Sequence, residues 1–315
     1  MGVMDNLTRF LGAWRNRWSP AALGCVVALV AGCATADPQP VAPVTVTVTA
    51  GSSATGYPMT PSPSSSTSAP ANPYAGLAAG FAEVASSTGL TVGIAIAPVG
   101  GSAVPALTLG DPTPRVAWST IKVPLAVAAQ RQNGPSTAAN AAIINSDNGS
   151  AEELWSSLGG GQAAADAVTA VLRQGGDPTT VVPAVARRAG FTIFGQTVWA
   201  LPDAATFTAR LPCMSGTQQV LSLMGQVAGN QQWGVEIMPA PRATAVKGGW
   251  GPGLSEGYLV RQIGLITFRD GGRAAVAMSA VGGSMSGGIA ALNAVANWLN
   301  TNMPRLPRGR CSEER

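Results

Sequence analysis

The apolar residues of this 315-residue chain switch period four times between Tyr74 and Leu299, and that succession limits the fold more than any other feature. Leu77, Phe81, Val84 and Ala85 recur at helical spacing, and Gly89 stops them. Residues 91–99 alternate like a strand, with Gly100-Gly101 as the turn into a second strand around 103–109. Residues 119–132 read as a helix, apolar at Ile121, Leu125, Ala128 and Ala129, and a mostly helical middle follows from 136 to about 229. Strands return at 243–247, 258–268 and 273–281, before a last helix at 285–299 built on Ile289, Leu292, Val295, Ala296 and Leu299. Helix, two strands, helical insertion, three strands, helix is the order of an α+β fold. It implies one antiparallel sheet flanked by terminal helices, plus an all-helical lobe.

The first 73 residues carry no such pattern. Arg9, Arg15 and Arg17 precede a short apolar stretch, 21–30, which meets Ala31-Gly32-Cys33. A basic n-region, a short h-region and small residues at the cut describe an export signal over 1–32, too short to span a bilayer comfortably. Val30-Ala31-Gly32-Cys33 resembles a bacterial lipobox, which implies that Cys33 is lipidated (palmitate among its acyl chains) and becomes the mature N-terminus. Residues 33–73 form a Pro/Ser/Thr-rich stretch that buries no core and is expected to act as a tether. The expected organisation is therefore signal 1–32, lipidated tether 33–73, folded domain 74–300 and basic tail 301–315. The expected location is the outer face of the cell membrane, held there through the lipid on Cys33. In an oxidising compartment the two cysteines left in the exported part, Cys213 and Cys311, are expected to pair.

Composition excludes several function classes. With 46% hydrophobic and 11% charged residues the chain is not wholly disordered. Its net charge of +4 is spread thinly, without the clustered basic face a nucleic-acid partner needs. There is no histidine, so no Ser-His-Asp or Cys-His mechanism is available, and no histidine-ligated metal. The cysteines lack metal-ligand spacing, and neither metal nor cofactor is expected.

Only two lysines occur, Lys122 and Lys247, against seventeen arginines. Arginine keeps its proton in proteins, whereas a buried lysine gives it up readily and can act as a base. Both lysines sit in short motifs. Lys122 closes Ser119-Thr120-Ile121-Lys122, in which serine and lysine lie one turn apart at a helix start. There a lysine can take the serine proton while the helix N-terminus stabilises an oxyanion. Ser146-Asp147-Asn148 follows, and then Lys247-Gly248-Gly249 at the expected end of a strand. S-x-x-K, S-D-N and K-x-G in that order resemble the signature set of serine β-lactamases and penicillin-binding proteins. The stretch from Ser146 to Leu154 resembles its class A counterpart. Lys247 to Trp250, with Tyr258 to Gly264, looks like actinobacterial β-lactamase-like serine hydrolases, a group that includes alanine-rich envelope lipoproteins of mycobacteria.

The resemblance implies Ser119 as nucleophile, Lys122 as its proton acceptor and Ser146 as relay to the leaving nitrogen. Asn148 would hold a substrate amide, Lys247 would bind a carboxylate and polarise Ser146, and Gly249 and Trp250 would line the strand side of the site. The oxyanion hole would be the backbone N–H groups of Ser119 and Trp250. An exported serine hydrolase or acyltransferase acting on a peptidoglycan-like peptide, amide or ester is the implied function. The other reading is a catalytically silent binding or scaffold lipoprotein.

Four departures bear on turnover. No glutamate occurs between Glu153 and Glu236, where class A enzymes keep the one that drives deacylation. Asp166, Asp177 and Asp203 are the carboxylates left, and Asp203 is nearest the expected loop. The threonine of K-T-G is Gly248, Trp250 stands at a usually small position, and the interval from Ser119 to Ser146 is short. Efficient β-lactam turnover is not expected.

Overall fold

The computed structural model describes residues 74–100, 107–253 and 255–312. The export signal, Cys33 and the tether lie outside the described residues, as does most of the expected strand around 103–109.

Helix α1 (Ala75–Thr88) buries Leu77 and Phe81 and ends on Gly89, whose φ of 64° supplies the left-handed stop. Strand β1 (Thr91–Pro98) follows, then β2 (Leu107–Gly110) and the short β3 (Arg115–Val116). A 3₁₀ turn (Trp118–Ile121) leads into α2 (Lys122–Asn133), so the helix expected from Ser119 begins as a tighter coil. The lobe continues with α3 (Thr137–Ile144), α4 (Asn148–Ser157) and α5 (Gly161–Gln174). Between α5 and the short β4 (Val198–Trp199) the chain is mostly irregular, where the sequence predicts more helix. Helices α6 (Leu201–Arg210) and α7 (Gln218–Met224) close the insertion. Strands β5 (Ala243–Pro252), β6 (Tyr258–Thr267) and β7 (Arg273–Gly282) and helix α8 (Met285–Asn302) complete the chain.

Five strands form one antiparallel sheet in the order β2-β1-β7-β6-β5, so the strands on either side of the insertion pair through β1 and β7. The expected α+β architecture is the observed one. Both faces of the sheet are covered. Ile94, Ile96, Val276 and Met278 pack with Leu77, Phe81, Leu292, Val295 and Leu299 of the terminal helices. Ala95, Ala97, Ala275 and Ala277 face the helical lobe. Small side chains there let α6, with Ala204 and Ala205 buried, lie close on β1 and β7. A Cβ on Gly93 would stand 2.1 Å from the Asp111 carbonyl oxygen and 3.1 Å from Leu201 Cδ1.

One detail corrects the sequence reading and another bears it out. Strand β5 runs five residues past Lys247, so Lys247-Gly248-Gly249 lies inside an edge strand rather than at a strand end. The segment after α8 is fastened: Gly309 bridges Arg273, and Cys311 forms a disulfide with Cys213. The two cysteines are thus joined as expected, tying the chain end to the insertion. Among the described residues no helix is long and apolar enough to cross a membrane.

Candidate active site

Only two described non-glycine residues have positive φ, Trp118 at 46° and Ser146 at 58°, and both belong to the same small region. Such backbone costs about 1–3 kcal/mol each and persists where the surroundings impose it. Trp118 directs the 3₁₀ turn that carries Ser119; Ser146 directs the connection from α3 to α4. At that connection Asp147 is the cap: its Oδ1 accepts from Ser150 N at 2.6 Å, which leaves Ser146 and Asn148 free of capping.

Lys122 is buried and points at this connection. Its Nζ donates to Ser146 O (2.6 Å), Asp147 O (3.1 Å) and Asn148 Oδ1 (2.7 Å), so all three ammonium protons have acceptors. Burial pulls its pKa down to about 8, against the charges of Asp147 and Glu152, which hold it up. Glu152, on α4, has its own carboxyl raised by burial. Among the described residues the Ser119 hydroxyl has no hydrogen bond to Lys122; the pair expected from S-x-x-K lies three residues apart and is unjoined in this arrangement.

Lys247 is fully buried on β5. Its Nζ donates to Ser146 Oγ (2.8 Å), Gln231 Oε1 (2.6 Å) and Gly248 O (2.9 Å). Burial, reinforced by the Lys122 charge, lowers its pKa well below the ordinary lysine value. Direct capture of a carboxylate does not follow from this geometry, since every donor of Lys247 is spent inside the protein.

Gln231 is the residue that sequence reasoning missed. It is completely buried; besides Lys247, its Oε1 accepts from Gly248 N at 3.0 Å, and its Nε2 donates to Ile143 O and Ile144 O, each at 2.9 Å. One amide thereby fastens the end of α3 to β5 and holds both motifs in register. Its only sequence signal is a polar run, Gly229-Asn230-Gln231-Gln232, just ahead of a strand.

Gly249 lets β5 pass the turn that carries Ser119, since a Cβ there would stand 2.9 Å from Ala117 O and from Ser119 N. Gly248 N–H is turned away from β6 toward Gln231, and Pro252 O, of the same parity, accepts from Arg188 at 3.1 Å. Alternation along the strand puts the Trp250 N–H on that same free edge. Trp250 packs edge-on against Trp233, with ring centroids 6.5 Å apart, and forms a wall of the cleft.

The cleft is about 330 Å³ and brings together Ser119, Ser146, Asn148 and Trp250. Its other wall is the irregular segment after α5, with Phe191 edge-on to Trp118 at 5.2 Å. Gln196 organises that segment: its Nε2 donates to the carbonyls of Arg188, Phe191 and Thr192, and its Oε1 accepts from Arg188 N at 2.7 Å. No carboxylate is among the described residues that line the cleft. Asp203 is hydrogen-bonded to Thr179 Oγ1 at 2.5 Å, Asp177 holds Trp199 Nε1 at 2.8 Å, and Asp166 bonds Gln162. Two larger depressions, each about 470 Å³, lie beside α7 and β5 and beside the end of α8, away from Ser119.

No protein-family model and no curated protein matches the chain. Solved structures do. A variant of the last common ancestor of Gram-negative class A β-lactamases, bound to 5(6)-nitrobenzotriazole, superposes with a TM-score of 0.57 at 20% identity. The match covers 73% of this chain and 99% of that one. The fold is that of the class A β-lactamases. A β-lactamase from Burkholderia vietnamiensis gives a TM-score of 0.55 at 19% identity, over 72% of this chain and 96% of that one. One from Sphaerobacter thermophilus gives 0.54 at 18%, over 75% and 99%. At such identities the likeness carries the fold, and chemistry has to be argued from the residues of this chain.

Proposed function

We propose that this chain is a serine hydrolase or acyltransferase of the cell envelope, forming an acyl-enzyme at Ser119 and turning over β-lactams weakly or not at all. In this reading it is exported, anchored through a lipid on Cys33, and belongs with the actinobacterial β-lactamase-like lipoproteins. The observation that carries it is the buried chain of contacts from Lys122 through the Ser146 loop to Lys247, placed directly behind a half-buried serine in an open cleft.

A lysine with pKa near 8 is partly neutral at physiological pH, and its free pair can turn one helical turn toward the Ser119 hydroxyl. Ser146, held by Lys247, is placed to protonate the leaving group. Asn148 keeps its Nδ2 available for a substrate carbonyl while its Oδ1 accepts from Lys122. The N–H groups of Ser119 and Trp250 would receive the oxyanion. Acylation has its parts; activation of a deacylating water has none among the cleft residues.

The unjoined Ser119 and the saturated Lys122 favour a second reading, a catalytically silent binding module. A fluorophosphonate separates the two. Intact mass should show one covalent addition to the wild-type chain and none to Ser119→Ala. An unmodified wild type under forcing probe concentrations would leave only the binding module.

A further inference from the structure

Enzymes that recognise a substrate by its carboxylate need a cation at the cleft, and among the described residues no lysine or arginine lines the cleft around Ser119. Lys122 donates to three carbonyl oxygens and Lys247 to three acceptors, both from buried positions. Arg188 is the guanidinium nearest the loop wall. Each of its terminal nitrogens donates once, to Gly253 O (2.9 Å) and Pro252 O (3.1 Å), its Nε has no partner among the described residues, and the guanidinium lies behind the cleft wall, 4.5 Å over the Phe191 ring and 5.5 Å over the Trp118 ring, without lining the cleft itself. Arg261 donates inward to the carbonyls of Val116 and Trp199, and Arg115 is paired with Asp111 and Glu256. Arg187, exposed on the loop, does not line the cleft. What the cleft offers is aromatic: Trp118, Phe191, Trp250 and Tyr258, with neutral hydroxyl and amide groups between them.

We infer that the Ser119 site takes uncharged esters or amides whose leaving side is aromatic or apolar, and rejects donors with a carboxylate beside the scissile bond. This rests on the serine-hydrolase reading and narrows it, away from peptides ending in a free carboxylate. A carboxylate drawn into the cleft loses water without gaining an ion pair, whereas a neutral ring gains contact with the aromatic walls. In the step itself, Ser119 Oγ bonds to the carbonyl carbon and its proton passes to Lys122. The carbonyl–oxygen bond to the leaving phenol breaks, and that phenol takes a proton from the Ser146 relay, which Lys122 restores. One ester and one serine hydroxyl become one acyl-serine and one phenol.

The test uses two matched substrates on the purified full-length chain, the 3-carbamoylphenyl and 3-carboxyphenyl esters of phenylacetic acid. Acylation of Ser119 is followed by intact mass and phenol release, each corrected for the uncatalysed rate. The neutral ester should acylate at least about tenfold faster. Thr192→Arg, which puts a free guanidinium on the cleft wall, should shrink that ratio by favouring the anionic ester. Equal rates, or a faster carboxylate ester, would overturn the inference while leaving the nucleophile in place. No acylation by either ester, with none by the fluorophosphonate, would remove both.

Discussion

The two walls of the Ser119 cleft are made in opposite ways. The back wall is buried and polar, and nearly every group in it is matched: two lysines, a glutamine, a serine and an asparagine share donors and acceptors among α2, the α3–α4 connection and β5. The front wall is an irregular loop, shaped by one glutamine and one arginine, that presents the Phe191 ring and no carboxylate to the cleft. Opening an acyl donor needs a base, a relay and an oxyanion site, and the proposed function assigns all three to the back. Expelling the acyl group by water needs a placed base on the other side, and the front supplies none. On the proposed reading, the molecule would begin acyl transfer more readily than it would complete hydrolysis.

The sharpest way to break this comparison is to attack the back wall at its base. Lys122→Arg keeps the charge but cannot give up a proton, so the second-order rate of Ser119 acylation should fall about 10²–10⁴-fold. An unchanged rate would mean that Lys122 only holds the loop. Gln231→Met comes next. It strips acceptors from Lys247 and Gly248 N, and should cost about 1–3 kcal/mol in denaturant unfolding, with slower acylation of the folded fraction.

The pH dependence follows from Lys122. Acylation should rise with pH through about 8 and then level off, as the amine loses its proton. Stability has the same sign. Folding lowers this lysine from 10.5 to about 8, so in that window the unfolded chain binds more protons and stability increases with pH. A flat acylation profile from pH 6 to 10 would dissociate Lys122 from the chemistry. The smallest effect belongs to the front wall. Thr192→Glu supplies a carboxylate to the cleft, and should speed deacylation a few-fold while leaving acylation nearly unchanged, as read by decay of the acyl adduct.

The sequence made the sheet and the back wall legible for one reason: both follow from spacing. Alternation in 91–99 and the apolar run at 273–281 mark strands β1 and β7, which pair, and Lys122, Ser146 and Lys247 stand in motifs whose order is diagnostic. Gln231 was invisible because an amide becomes important only when tertiary structure brings two backbones to it. The same holds for Gln196, which joins residues four to eight positions away in a loop with no repeating pattern. Lys247 shows the limit from the other side. Its motif predicted a carboxylate anchor, yet burial and three internal acceptors turn it inward.

The most direct test of the central claim is a burst experiment on the full-length chain with the neutral 3-carbamoylphenyl ester. Phenol should appear as a rapid burst of one equivalent per Ser119, followed by a much slower steady phase while the acyl mass persists. Release that is linear from the first turnover, with no acyl adduct accumulating, would show that the front wall deacylates as fast as the back wall acylates and would contradict the account.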